Sequence, residues 1–121
     1  MKREYGDWTQ YRRFQPAPSE VDFHYDQPRT GEYLDAMASI REEALKALKN
    51  AYTSGVTWVL FRHGSSTSMG WKRPTARSEV RGLMRSKDAT PYIIRAQCIQ
   101  HPSVFLARIK ERLLAEENEY V

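Results

Sequence analysis

A long amphipathic helix between two short apolar segments is the feature that most limits the fold. From Gly31 onward, apolar residues recur every three or four positions, at Leu34, Met37, Ile40, Ala44, Leu45, Leu48 and Tyr52. This spacing predicts a helix that has Thr30 as its N-cap and Gly55 at its C-terminal end. Alternation in residues 20–25 predicts a strand before the helix, and the apolar run 56–61 predicts a buried strand after it. A strand–helix–strand unit implies parallel strands joined by a right-handed crossover.

The second half of the chain predicts another helix and at least one more strand. A helix that begins near Thr75 would bury Ala76, Val80, Leu83 and Met84, and residues 92–99 predict a third strand. Residues 103–109 fit either a hairpin strand after His101-Pro102 or a helix, and local propensity favours helix from about Ala107 onward. The predicted fold is an α/β two-layer sandwich with βαβαβ(β) order and a partly parallel sheet.

The chain is divided into one domain with two flanking segments. Its 121 residues are the length of a single domain, which we place at residues 20–110. Residues 1–19 form an N-terminal arm, in which Pro16 and Pro18 oppose a helix and aromatic residues are expected to pack on the domain. Residues 111–121 form an acidic C-terminal tail.

Composition excludes several classes of protein. A single cysteine, Cys98, allows neither an intrachain disulfide nor a cluster of thiolate zinc ligands. The longest apolar run, residues 56–61, is much shorter than the roughly 20 residues that span a bilayer. No apolar stretch follows the charged residues 1–5, so no secretory signal is expected. We therefore expect a soluble protein of the reducing cytoplasm, with no membrane partner.

Positive charge is concentrated in the middle of the chain. Residues 62–95 contain eight lysines and arginines but only two acidic residues, Glu79 and Asp88. Arg77, Arg81 and Arg85 recur every four positions, which places them on one face of the second predicted helix. This segment is either a surface that binds a polyanion such as nucleic acid or a solvated helix face.

Two histidines follow predicted strands, at positions where α/β proteins often bind ligands. His24 and His63 would lie at the same edge of the sheet, with Asp22 on the face of His24. Each imidazole could act as a general base or hold a phosphate, or could be a hydrogen-bonded turn residue. The loop after His63 includes Gly64, Ser65 and Ser66, which could present N–H and hydroxyl groups to a phosphate.

These motifs carry a resemblance to a known family. Val21-Asp22-Phe23-His24 resembles the L-D-x-H motif that opens the Smr (small MutS-related) domain, and residues 61–66 resemble its H-G-x-G segment. Tyr25 and Ser66 stand where the family has glycine. The resemblance covers about residues 20–110 and implies a βαβαββ fold like the C-terminal domain of bacterial translation initiation factor three. It also implies nucleic-acid binding, often with nicking endonuclease activity on DNA or RNA, and functional roles for Asp22, His24, His63 and Gly64.

Three functions are compatible with these residues. The first is a Smr-like nucleic-acid-binding domain with endonuclease activity, in which His24 or His63 acts as acid or base. Asp22 would then orient a histidine or bind a cation such as Mg²⁺, although no compact carboxylate cluster predicts a tightly held metal. The second is a non-catalytic binding module, in which Trp71 or Tyr25 stacks on an unpaired base. The third is hydrolysis of a phosphate ester, because Arg62-His63-Gly64 is similar to the R-H-G of histidine phosphatases.

For the two nucleic-acid-binding functions, the predicted contacts are Arg62, Gly64, Ser65, Ser66, Lys72, Arg73, Arg77, Arg81 and Arg85.

Overall fold

A computed structural model describes residues 1–23, 33–65 and 74–112, with backbone alone for 33–35. The strands are β1 (Lys2–Arg3), β2 (Ser19–Asp22), β3 (Trp58–Arg62), β4 (Ile99–Gln100) and β5 (Val104–Arg108); the helices are α1 (Tyr33–Ser54) and α2 (Ala76–Met84). Short 3-10 helices span Trp8–Arg13 and Arg95–Gln97. From β2 onward the order of strands and α-helices is βαβαββ, and the predicted α/β class is confirmed.

The five strands form one mixed sheet in the order β1-β4-β5-β3-β2. The strands β2 and β3 are parallel and are joined by α1, as the strand–helix–strand pattern predicts. The strand β5 runs antiparallel to both of its neighbours, β3 and β4, and β1 pairs in parallel with β4. The sheet is therefore partly parallel, as expected.

One face of the sheet packs on the two α-helices. Val59 and Phe61 of β3 lie in the main core with Ile40 and Leu48 of α1 and with Val80 of α2. Leu60, between them in the chain, is buried on the opposite face. The prediction that this strand is covered on both sides is confirmed, because its side chains alternate between two apolar clusters.

The ends of the helices follow local sequence signals. Gly55 ends α1 in the left-handed conformation (φ 75°), which glycine adopts without steric cost. Thr75 is the N-cap of α2: its hydroxyl accepts from the Ser78 N–H, and the Ser78 hydroxyl accepts from the Thr75 N–H. The predicted start of this helix is confirmed. Thr30, the predicted N-cap of α1, lies outside the described residues.

The N-terminal arm covers the second face of the sheet. Tyr11 is 1% exposed and lies with Leu60 and Leu106 in a smaller core, against which Trp8 and Phe14 also pack. The Tyr11 hydroxyl donates a hydrogen bond of 2.8 Å to Glu4. The arm also supplies the edge strand β1, which the sequence did not predict.

The predicted third strand, residues 92–99, needs correction. Residues 92–99 do not form one continuous strand, because Arg95–Gln97 is a 3-10 turn that interrupts the pairing with β5. Six positions separate Ile93 from Ile99, but only three separate their partners Ile109 and Leu106. The Arg95 guanidinium stabilises the turn by donating to the Met84 and Ser86 carbonyls.

Of the two alternatives for residues 103–109, the hairpin strand is confirmed as β5, although local propensity favours helix from about Ala107 onward. Val104, Phe105, Leu106 and Ala107 are all fully buried, because β5 lies between β3 and β4 and packs on both faces. Long-range pairing and burial therefore override local helix propensity. Of the predicted acidic tail, residues 113–121 lie outside the described part of the chain.

Candidate functional site

Three arginines on one face of α2 contact the hairpin between β4 and β5. Two of them bind the turn, residues 101–103, and the third binds Gln100, the last residue of β4. The Arg77 guanidinium donates to the Pro102 carbonyl (3.0 Å), and the Arg81 guanidinium donates to the His101 carbonyl (3.2 Å). Arg85, at the C-cap of α2, donates to the Gln100 side-chain oxygen (3.0 Å). Their four-residue spacing places all three on the side of the helix that faces the hairpin.

These arginines line a groove with the start of the N-terminal arm. We call it the basic groove; its volume is about 340 Å³, and its lining residues are Arg3, Tyr5, Arg77, Arg81, Arg85, Gln100 and Pro102. This volume is at the lower end of the range for ligand-binding clefts. Four arginines therefore line a space large enough for a small anionic group.

No carboxylate in the described part of the chain forms an ion pair with the arginines of the basic groove. Among the residues that the structure describes, the ion pairs are Arg12–Glu20 and Arg62–Asp22, and neither lies in the groove. Partial burial, with the like charges of Arg77 and Arg85, lowers the pKa of Arg81 to about 10. An anion in the groove would relieve this repulsion.

His63 is a buried, neutral imidazole near the same arginines. It is 4% exposed, and its Nδ1 lies 2.6 Å from the Gly64 carbonyl oxygen. Because a carbonyl only accepts, Nδ1 carries the proton, and Nε2 has no hydrogen-bond partner among the described residues. Burial, together with the charges of Arg81 and Arg77, lowers its pKa to about 4. His63 is therefore uncharged at neutral pH.

Asp22 and Arg62 lie toward the N-terminal arm, away from His63. They are paired in the β2–β3 register, and their side chains form an ion pair of 3.6 Å. The Arg62 guanidinium also lies 5.2 Å from the ring centre of Trp8, on the arm side of the sheet. Because successive side chains of an extended chain point to opposite sides, this arrangement places Asp22 on the side of Arg62 and not on the side of His63. The contacts of Arg62 on the arm side argue against the histidine-phosphatase interpretation, which requires Arg62 and His63 to contact the same phosphate.

The remaining predicted site residues are distributed as follows. Gly64 is buried with φ 81°, and its N–H donates to the Ser103 carbonyl, whereas Ser65 is exposed. Outside the described residues lie His24, Tyr25, Ser66, Trp71, Lys72 and Arg73. Within the described ranges, no three His, Cys, Asp or Glu side chains are grouped to hold a metal ion. Neither α1 nor α2, as described, is long and apolar enough to cross a membrane.

Sequence reasoning missed the contribution of the arm to the groove. Arg3 and Tyr5 reach it because β1 pairs with β4, 97 positions further along the chain, and a two-residue strand has no detectable periodicity. His101 stabilises the contact between the arm and the hairpin turn: its Nε2 donates to the Gly6 carbonyl (2.8 Å), and its Nδ1 accepts from the Ser103 N–H (3.0 Å). The signal available in the sequence was His101 itself, just before Pro102, but neither its burial nor its partner could be inferred.

Comparison of the chain with family models, curated proteins and solved structures found no match.

Proposed function

We propose that this chain is a nucleic-acid-binding domain and that the basic groove binds the phosphate backbone. The observation that supports this proposal is the set of four arginines around one groove, without a carboxylate partner among the described residues. Guanidinium groups present planar pairs of N–H donors that match phosphate oxygens, and their charge displaces the counterions of the strand. Either DNA or RNA fits this chemistry.

The order of elements supports a Smr-like domain within this proposal. From β2 onward the chain has the βαβαββ order that the resemblance implies, and Asp22 and Gly64 lie at or just after the ends of the parallel strands β2 and β3. The basic groove is a different part of the surface from the Asp22 pair with Arg62. Binding through the groove does not require the family motifs to be catalytic.

Cleavage of the bound strand is a second candidate function. The observation that favours it is the Nε2 atom of His63, which has no hydrogen-bond partner among the described residues. The imidazole ring is also close enough to Arg77 and Arg81 for their charges to lower the pKa of His63. A neutral imidazole can accept a proton from an attacking group, but a pKa of about 4 makes it a weak base, and 4% exposure leaves little access. We therefore place binding before hydrolysis.

Replacing both Arg77 and Arg81 by glutamine is expected to lower affinity for labelled oligonucleotides at least about tenfold at moderate salt. The slope of log affinity against log salt concentration should fall by about one for each arginine removed. The measurement is fluorescence anisotropy with RNA and DNA over a series of salt concentrations.

A matched control removes the same charge elsewhere: Lys46→Gln with Lys49→Gln, on the exposed surface of α1. Arg3→Gln is a second groove variant; Arg3 makes none of the described hydrogen bonds to the hairpin turn, so its loss should not disturb that turn. Equal losses for the groove and α1 variants, or no binding by the wild type, would refute the proposal. Denaturing gels of the same mixtures with magnesium or chelator, with His63→Ala alongside, test cleavage.

A further inference from the structure

Tyr5 is an exposed aromatic side chain in the basic groove. Its exposed fraction is 71%, and among the described large apolar side chains only Met1 is also exposed. Tyr5 lines the groove with four arginines, and it is close enough to Arg81 to influence the pKa of that guanidinium. An aromatic ring left in water beside concentrated positive charge is a feature that core packing does not explain.

The backbone on both sides of Tyr5 is held in place. The Glu4 N–H donates to the Gln100 carbonyl (3.0 Å), and the Gly6 carbonyl accepts from the buried His101 ring (2.8 Å). The backbone at Tyr5 is therefore fixed, so that only the side-chain torsions of Tyr5 lose freedom when a ligand packs on the ring.

The acidic side chain next to Tyr5 in the chain, Glu4, points away from the groove. The Glu4 carboxylate accepts a hydrogen bond from the hydroxyl of Tyr11, on the face of the sheet that the arm covers. Because successive side chains of an extended chain point to opposite sides, this contact leaves Tyr5 on the groove side with the arginines. The described lining residues of the groove thus combine cationic and aromatic groups and include no acidic side chain.

We propose that the basic groove selects single-stranded nucleic acid, with Tyr5 stacking on an unpaired base while the neighbouring arginines bind its flanking phosphates. This inference rests on the proposed function and specifies its substrate. Stacking on an aromatic ring requires a base face that a duplex keeps within its own stack. A groove of about 340 Å³ accepts a nucleotide-sized group rather than a double helix. Because every base has a π-face, the selectivity is for strandedness and not for sequence.

The test compares wild type, Tyr5→Ala and Tyr5→Phe with short RNA and DNA oligonucleotides, each single-stranded, annealed to its complement, or made abasic. Tyr5→Ala should weaken binding to intact single strands on the order of tenfold, leave duplex binding unchanged and keep the salt slope, since no charge is lost. Tyr5→Phe retains the ring and should bind like the wild type. On abasic strands, wild type and Tyr5→Ala should bind equally. Thermal unfolding verifies that both variants are folded.

The outcomes separate this inference from the function on which it rests. If the wild type binds no oligonucleotide, or binds without salt dependence, the proposed function fails. If it binds with a salt slope that the groove arginines set, but Tyr5→Ala binds single strands as tightly as the wild type, only the stacking role of Tyr5 is refuted. Equal wild-type affinity for single strands and duplexes likewise refutes the selectivity alone.

Discussion

Tyr11→Ala is expected to lower the free energy of unfolding by about 3–5 kcal/mol, the usual cost of deleting a buried aromatic side chain. Tyr11 is 1% exposed and lies in one cluster with Leu60, Val104 and Leu106, on the sheet face opposite the α-helices. Its removal would leave a cavity between the arm and the sheet. Urea denaturation followed by circular dichroism measures the difference.

Two further variants separate packing from hydrogen bonding. Tyr11→Phe keeps the ring but loses the bond to Glu4, and should cost about 1 kcal/mol. Tyr5→Ala, an exposed position on the same arm, should change stability by less than about 0.5 kcal/mol. If Tyr11→Ala were as mild as Tyr5→Ala, the arm would be an appendage, not part of the core.

Acidification is expected to destabilise the protein through His63. The pKa of this imidazole is about 4 in the folded chain and 6.5 as its ordinary value, so between these pH values the unfolded chain binds more protons than the folded one. The stability that the neutral ring provides is fully present above pH 6.5 and is lost as the pH falls toward 4. A shift of this size corresponds to about 3 kcal/mol.

His63→Gln isolates this effect, because glutamine does not titrate. Between pH 7 and pH 5, where most carboxylates remain ionised, the wild type should lose about 2 kcal/mol more than the variant. Urea denaturation at each pH measures both proteins. Parallel pH profiles for wild type and variant would contradict this prediction, because they would mean that the pKa of His63 is the same in the folded and the unfolded chain.

The elements with strong periodicity could be predicted from the sequence, and the elements that depend on distant pairing could not. The apolar stripe of α1 and the apolar run of β3 specify their own conformation and burial. By contrast, β1 has two residues, both exposed, and is defined only by its pairing with β4. Residues 92–99 have strand propensity, but the hydrogen bonds of Arg95 to the end of α2 favour a turn.

The candidate site likewise contains residues that could be predicted from the sequence and residues that could not. The spacing of Arg77, Arg81 and Arg85 was enough to place them on one face, because helical geometry is local. Arg62 and His63 are adjacent in an extended chain, so their side chains point to opposite sides. The resemblance to the R-H-G motif of histidine phosphatases does not include this constraint. Arg3 and Tyr5 join the groove through sheet pairing between the two ends of the described chain, for which no local pattern exists.

The position of β5 affects the order in which the protein can assemble during synthesis. It follows the other strands along the described chain, yet it lies in the middle of the sheet, and β1 and β4 join β2 and β3 only through it. Until the ribosome releases Val104–Arg108, β3 has an unpaired apolar edge, and the arm has no completed surface to cover. The nascent chain must therefore keep its first strand–helix–strand unit from associating with other chains until almost all of the described sequence has been made.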